Sequence, residues 1–253
     1  MVYQFFPFQL LEDNSLSTDF KHSSSSALPR FIQISEFLVR EIAAGRLVDG
    51  ERLAPERHMA KSLNVSVGTL RKSLKELEKI GLLESIQGSG NYVRQNQIDG
   101  SVYAMFRLEL LEGGGLPKAD ILDVALYEKP SDLPEFGTSK RASRVRRLRY
   151  LNNTIIAIEE IWLDQSAGVI NSIGISDSLY QYYRTHLGLW ISRAEDYVGI
   201  CKVPFWAPAA FMLSPGTLTG FIERFSWGSE VAPVEYSRTW FDTNQAYYVQ
   251  RLK

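Results

Sequence analysis

The chain has 253 residues, of which 45% are hydrophobic and 12% aromatic, so it can bury one or two hydrophobic cores and is not a disordered polypeptide. Its formal net charge is −1, so any attraction to nucleic acid must come from a local surface. A single cysteine excludes an intramolecular disulfide framework, and three histidines scattered along the chain have no metal-ligand spacing.

The N-terminal segment, residues 1–28, begins with apolar residues but has no basic leading stretch and is interrupted at Pro7, Glu12 and Asp13. It therefore does not fit a signal peptide. No run in the chain approaches the roughly 18 apolar residues of a membrane span. We predict a soluble protein of the reducing cytoplasm with no membrane partner. The serine-rich "HSSSSAL" at the end of this segment predicts a flexible extension, or an upstream mis-start of translation.

The first ordered unit is predicted to begin near Pro29. Apolar residues recur at helical spacing from Phe31 to Ile42 and stop before Gly45, which predicts a first helix. The polar connection "GRLVDGERL" follows, and "APERHMAKSL" predicts a short second helix, with Pro55 where a first helical turn tolerates proline.

A third helix is predicted from an N-cap at Ser66 to a stop at Gly81. Its two faces differ in chemistry at about 100° per residue. One side carries Leu70, Leu74 and Leu77, and the other carries Gly68, Arg71, Lys72, Lys75 and Lys79. The stretch "LLESIQGSGNYVR" then predicts a hairpin around two glycines. Three helices and a hairpin predict a winged helix-turn-helix over residues 29–95.

This unit predicts contact with duplex DNA. Residues 29–95 hold 11 Lys and Arg against 8 Asp and Glu. The missing side chain at Gly68 would let the helix lie deep in a major groove, where the Arg71 guanidinium could donate two bonds to guanine. Ser66 and Thr69 would lie against phosphate, and a glycine wing could follow the minor groove. The alternative is that the basic residues only solvate an exposed helix face.

The motifs of this unit resemble the N-terminal domain of the GntR family of bacterial regulators. "GRLVDGERLAPER" is similar to the family signature, "LNVSVGTLRKSLKELEKIGLL" to its recognition helix and "QGSGNYV" to its wing. The resemblance implies that Arg57 contacts DNA together with Arg71 and Gly90. The chain departs from the family at three positions. Members often have Arg in place of Val67, Lys or Arg in place of Ser89, and Thr in place of Asn91. The operator sequence of other members therefore cannot be assumed for this chain. The candidate DNA-binding residues are Arg57, Ser66, Val67, Gly68, Thr69, Arg71, Lys72, Lys75, Gly88, Ser89 and Gly90.

A linker over residues 96–104 and a second domain over residues 105–253 are predicted next. The strand candidates are "ASRVRRLRYL", "TIIAIEEIWL", "TGFIERFSW" and "PVEYSRTWFD", and the helix candidates are "SDSLYQYYRTHLG" and "APAAFML". We therefore predict an α+β fold built on an antiparallel sheet.

Three charged residues of the first two strands predict an anion receptor. Arg147 and Arg149 share one face of a strand, and Glu159 is within reach on the next one. Two converging guanidiniums suit a phosphate or a carboxylate. Alternation does not say which face points inward, because Arg144 and Arg146 occupy the other one. The alternative is a surface ion pair of little energetic weight.

The second domain resembles the UTRA effector-binding domain of the HutC subfamily, whose fold is similar to chorismate lyase. The resemblance runs from "VRRLRYLNNTIIAIEEIWLD" through "SLYQYYRTHLGLWISRAED" to "PVEYSRTWFDTNQAYYVQRL". It selects Arg147, Arg149 and Glu159 and implies that Ser178, Tyr180, Arg193 and Glu235 also bind the effector. For Ser178 the structural alternative is an N-cap, and for Glu235 it is an exposed sheet face.

Together these features predict a DNA-binding transcriptional regulator. We expect a dimeric repressor of catabolic or transport genes that binds double-stranded operator DNA and is relieved by a small anionic metabolite, a sugar phosphate, carboxylate or phosphonate. The sequence contains no identifiable catalytic constellation, so we predict no enzymatic activity, no cofactor and no metal. Two other classes remain as alternatives, an enzyme with a chorismate lyase-like pocket and an architectural protein that coats DNA.

Overall fold

The computed structural model of the protein describes residues 29–43, 45–94, 105–172, 175 and 178–251. The predicted extension 1–28 and linker 96–104 lie outside these residues. The helices are α1 (Arg30–Ala43), α2 (Glu56–Ser62), α3 (Val67–Lys79) and α4 (Leu179–Tyr182). The strands are β1 (Leu83–Ile86), β2 (Gly90–Val93), β3 (Leu108–Leu110), β4 (Pro117–Glu128), β5 (Arg141–Leu151), β6 (Thr154–Asp164), β7 (Arg193–Lys202), β8 (Leu218–Trp227), β9 (Glu235–Phe241) and β10 (Ala246–Tyr248). Within the described ranges, the helices all fall short of the length and apolarity that crossing a membrane requires.

The first three helices and the β1–β2 hairpin share one hydrophobic core. Ile34 and Leu38 of α1 pack in the same cluster as Leu70, Leu74 and Leu77 of α3, which are all buried. The leucine stripe of α3 therefore faces inward, as its spacing predicted. Ser66 is the N-cap of α3, and its hydroxyl accepts a bond from the Thr69 amide at 3.0 Å. The predicted hairpin is present, and in it Leu83 pairs with Val93.

A six-stranded antiparallel sheet forms the second half of the chain, in the order β4-β5-β6-β9-β8-β7. The four predicted strands are β5, β6, β8 and β9, and they are the four inner strands of the sheet. The edge strands β4 and β7 were not predicted. The α+β class with an antiparallel sheet is confirmed.

Each face of this sheet is covered by different elements. One face lies under α4 and the chain segment that leads into β3, and β3 itself pairs with β10. On the opposite face, Trp240 of β9 packs with Trp206 and Phe211 from the segment between β7 and β8. The predicted helix over "APAAFML" is only a short 3-10 turn, Ala209–Phe211, because it starts at Pro208 and ends at Met212 with φ at +64°.

Candidate functional site

The basic side of α3 is exposed to solvent. Gly68, Arg71, Lys72, Lys75 and Lys79 are all exposed, on the side of the helix opposite its buried leucines. A Cβ placed on Gly68 would meet only the Ser66 hydroxyl, at 3.8 Å, so the protein leaves the space beside this glycine open. Of the other candidates at the helix start, Ser66 is exposed, and Val67 and Thr69 are half-buried, with Val67 against the core.

Arg71 and Arg57 both point away from the core. Arg57, in the first turn of α2, is exposed. The Arg71 side chain is 65% exposed, and its Nε lies 2.7 Å from the Glu56 carboxylate. An exposed pair of this kind contributes little to stability, so Glu56 does not prevent Arg71 from reaching a ligand.

The wing is a tight turn that needs two glycines in conformations that other residues avoid. Gly88 has φ at +75° and Gly90 at +130°. The backbone at Arg52 runs beside β2, since the Leu53 amide donates to the Asn91 carbonyl at 2.9 Å, and a Cβ on Gly90 would lie 3.0 Å from the Arg52 Nε. Arg52 thus brings a cation to a wing whose Ser89 is uncharged. Sequence reasoning missed it, because nothing local indicates that the connection after α1 pairs with β2.

Arg147 and Glu159 are partners on neighbouring strands. They face each other in the β5–β6 register, and the Arg147 Nη2 lies 2.7 Å from Glu159 Oε2. Arg149 Nε lies 3.7 Å from the same oxygen. Arg147 is 5% exposed, Arg149 2% and Glu159 8%, so the arrangement is not a surface ion pair. Burial alone would raise the pKa of Glu159, but Arg149 and Arg147 outweigh it and hold that pKa below its ordinary value.

A cavity of about 80 Å³ opens beside this cluster. This volume is larger than the volume that a single ordered water requires. Its floor is the sheet face formed by β5, β6, β8 and β9, and its cover consists of the start of α4 and the segment before β3. The candidates Arg147, Arg149, Glu159, Ser178, Tyr180 and Glu235 all line it. Ser178 also caps α4 by accepting a 3.3 Å bond from the Gln181 amide. It therefore both lines the cavity and caps the helix.

Glu235 forms an acid and hydroxyl cluster at one part of the cavity wall. Its carboxylate accepts bonds from the hydroxyls of Tyr183 at 2.7 Å, Ser226 at 2.8 Å and Tyr180 at 3.2 Å. Burial raises the pKa of Glu235 above its ordinary value, and these donors offset only part of the shift. The cavity is therefore lined on one part by the cations Arg147 and Arg149 and on another by Glu235 and its hydroxyl partners, which can donate or accept hydrogen bonds.

Besides Arg147 and Arg149, the cavity is lined by Arg107 and Arg224, which sequence reasoning missed. Arg224 lies on β8 and donates two hydrogen bonds to Asp196, Nε to Oδ1 at 2.5 Å and Nη2 to Oδ2 at 2.7 Å. Burial alone would lower the pKa of Arg224, but Asp196 holds it above its ordinary value. Arg224 is two residues from the apolar Ile222 and therefore shares its face of the strand. The sequence could not indicate that this face points into the cavity.

Arg193 is the one predicted effector residue that the structure does not bring to the cavity. It pairs in register with Trp227, and its guanidinium lies 3.9 Å from the centre of that ring. The cavity lies on the other side of the sheet, where the next residue along, Ala194, pairs with Ser226. Because side chains alternate along a strand, Arg193 lies on the face of the sheet opposite the cavity, where its side chain is 60% exposed.

The two sites suit binding more than chemistry. The buried guanidiniums of Arg147 and Arg149 can hold an anion, and the exposed cations of α3 can face phosphates. No group of three or more His, Cys, Asp and Glu side chains within the described ranges could hold a metal ion.

Comparisons with known proteins find matches to both halves of the chain. A family model described as the UTRA domain matches residues 113–246, and one described as bacterial regulatory proteins, gntR family, matches residues 32–93. The chain is 55% identical to the HTH-type transcriptional regulator SmoD of Agrobacterium fabrum, over 92% of this chain and 100% of SmoD. It is 29% identical to the mannosyl-D-glycerate transport/metabolism system repressor MngR of Escherichia coli, over 53% of this chain and 58% of MngR.

A solved structure supports the fold. The crystal structure of the possible transcriptional regulator YydK from Bacillus subtilis has a TM-score of 0.50 and 21% sequence identity, and the match covers 89% of this chain and 100% of that one. This likeness concerns the arrangement of elements alone.

Proposed function

The chain belongs to the GntR family of bacterial regulatory proteins and carries a UTRA domain, and on that premise we propose that it is a homodimeric repressor released from operator DNA by a small anionic metabolite. That it is a transcriptional regulator and not an enzyme is confirmed by its relatives. The proposed domains are residues 29–95 for DNA binding and 105–253 for effector binding, with residues 96–104 as the linker.

The proposed DNA-contacting surface consists of the exposed start of α3, Arg57 of α2 and the glycine wing, extended by Arg52. Exposed cations on one side of a helix support phosphate attraction, and Arg71 is the residue best suited to a base edge. Repression is supported by the name of MngR, a repressor.

One observation carries the effector proposal, the convergence of Arg147 and Arg149 on Glu159 at the wall of a buried cavity. An ion cluster of this kind costs desolvation energy and adds little stability, so its place at a cavity wall favours a role in binding. The chemistry suits a sugar phosphate, a carboxylate or a phosphonate, with Glu235 and its hydroxyl partners facing the rest of the molecule.

The open edge of the sheet supports a homodimer. The last strand, β7, exposes Val198 and Ile200, which are 51% and 74% exposed, and the neighbouring Leu218 on β8 is 61% exposed. All three lie on the cavity face by strand register. An apolar edge strand pairs readily with another chain, and a second copy of this one would place two DNA-binding heads on one duplex.

The test uses the full chain and a random duplex library, because the operator is unknown. Selection should yield two related half-sites about one helical turn apart. Sugar phosphates, carboxylates and phosphonates are then titrated against the selected duplex at constant ionic strength, and one class should lower its affinity by roughly 5 to 150-fold. Binding with no sequence preference would contradict the operator proposal, and anion binding without any change in DNA affinity would contradict release.

A further inference from the structure

An arginine of α1 reaches the wall of the effector cavity. The Arg40 Nη2 donates to the Leu108 carbonyl at 2.8 Å, and its guanidinium lies 5.0 Å from the centre of the Phe106 ring. The guanidinium of Arg149 lies 4.7 Å from the centre of that same ring. Phe106 and Leu108 both line the cavity. One short segment therefore contacts the DNA-binding unit and the anion receptor at once.

The Arg40 side chain is held there at a cost. Arg40 is 8% exposed, and within the described part of the chain its Nε and Nη1 have no hydrogen-bond partner. A buried donor without a partner is destabilising. Burial lowers the pKa of Arg40 to about 10, and repulsion from Arg46 and Arg149 acts in the same direction, against attraction from Glu109 and Glu41. Added negative charge in the cavity would relieve part of this cost.

We propose that Arg40 is a positioning residue of the effector cavity, supplied by the DNA-binding unit. An anion held by Arg147 and Arg149 offsets the repulsion between Arg149 and Arg40, so it tightens the docking of α1 on the Phe106–Leu108 segment. By linkage, the docked Arg40 strengthens anion binding by the same factor. This inference rests on the proposed anion cavity and adds the route by which its occupancy reaches the DNA-binding helices.

A second contact between the same two parts of the chain provides a control. Arg46, just beyond α1, lies 3.4 Å from Glu109, which also pairs with Arg251 at 2.7 Å. Arg46 also donates to the Glu41 carboxylate, from Nε at 2.7 Å and from Nη2 at 2.8 Å. Arg46→Met removes one cation from the same interface and leaves the Arg40 bond to the Leu108 carbonyl in place, so it is a control for the loss of positive charge alone.

The experiment measures inorganic phosphate binding to the full chain by calorimetry, with sodium chloride holding ionic strength constant. Arg40→Met should bind phosphate at least about 5-fold more weakly than the wild type, Arg40→Lys should recover part of the loss, and Arg46→Met should match the wild type. Hydrogen exchange gives a second readout. Phosphate should slow exchange at residues 106–110 in the wild type and in Arg46→Met, and leave it unchanged in Arg40→Met.

The outcomes separate this inference from the function on which it rests. If Arg149→Lys loses phosphate binding while Arg40→Met keeps the wild-type affinity and the wild-type exchange response, the anion cavity stands and the role of Arg40 is wrong. If the wild type does not bind phosphate, or Arg149→Lys binds it equally well, the anion cavity itself is wrong and the inference fails with it.

Discussion

Arg147 and Glu159 are in register across β5 and β6, 2.7 Å apart and almost fully buried, with Arg149 as the second cation beside the same carboxylate oxygen. Two buried cations therefore share one carboxylate oxygen at the cavity wall. In the proposed effector site, a bound anion would add negative charge beside these two guanidiniums.

Removing the shared carboxylate should therefore cost more than removing one of its partners. Glu159→Met removes the carboxylate shared by two buried guanidiniums and should lower the free energy of unfolding by about 3–5 kcal/mol. Arg147→Met leaves Glu159 paired with Arg149 and should cost less. Urea unfolding of both variants measures the order.

Inorganic phosphate should partly rescue Glu159→Met, because it supplies the missing negative charge. Its stabilisation of that variant should exceed its stabilisation of the wild type, and Arg147→Met should show no such gain. Equal stabilisation of all three proteins would place the phosphate somewhere other than the cavity.

Glu159 and Glu235 should give opposite dependences of stability on pH. The pKa of Glu159 is lowered from 4.5, so its contribution to stability is present above about 4.5 and is lost as pH falls through the folded-state pKa. The pKa of Glu235 is raised from 4.5 by burial among Tyr180, Tyr183 and Ser226, so its contribution is present below 4.5 and is lost as pH rises through the folded-state pKa.

The comparison uses Glu159→Gln and Glu235→Gln, unfolded in urea across this pH range. The stability of the wild type relative to Glu159→Gln should fall on acidification, and its stability relative to Glu235→Gln should fall as pH rises. Slopes of the same sign would show that one carboxyl is not in the predicted ionisation state.

The sequence predicted the parts of the molecule in which local pattern and packing agree. The leucine stripe of α3 and the Ser66 cap follow from periodicity, and alternation placed Arg147 and Arg149 on one face of a strand with Glu159 within reach on the next. The edge strand β4 alternates poorly, because both of its faces are partly exposed, and β7 has the same property. The short π-helical turn after α4 likewise depends on packing against the sheet.

The errors at the site have the same origin. Arg193 was assigned by resemblance and lies one step out of phase, whereas Arg224 and the Phe106–Leu108 segment reach the cavity only through long-range pairing. No local rule brings residues so distant in sequence to one wall. Arg40 is a similar case, since its helical position gave no indication that it contacts the second half of the chain.

Arg71 and Lys75 should affect DNA binding in different ways. Arg71→Ala should cost about 1–3 kcal/mol on the selected duplex and relax specificity at one base pair, because it removes a base-edge contact. Lys75→Ala should weaken binding to all duplexes alike and reduce the salt slope by about 1.

Lys79→Ala is the matched control for this pair, since Lys79 is exposed at the far end of α3 and bound to Glu76. Gel shifts over a salt series measure all three variants. If Arg71→Ala keeps both affinity and sequence preference, base recognition lies elsewhere on the surface.

The open edge at β7 should decide the oligomeric state. Ile200→Asp places a charge on the most exposed apolar position of this strand, and a charge on an edge strand opposes pairing with a second copy. Sedimentation should then show monomers at concentrations where the wild type is dimeric.

Val231→Asp is the control, because Val231 is 99% exposed on the turn between β8 and β9, away from the edge. In the proposed dimer two heads bind one operator, so the Ile200→Asp monomer should also bind the full site no more tightly than a single half-site. A variant that stays dimeric would move the interface off this edge, whereas a monomer with undiminished affinity for the full site would show that one head suffices.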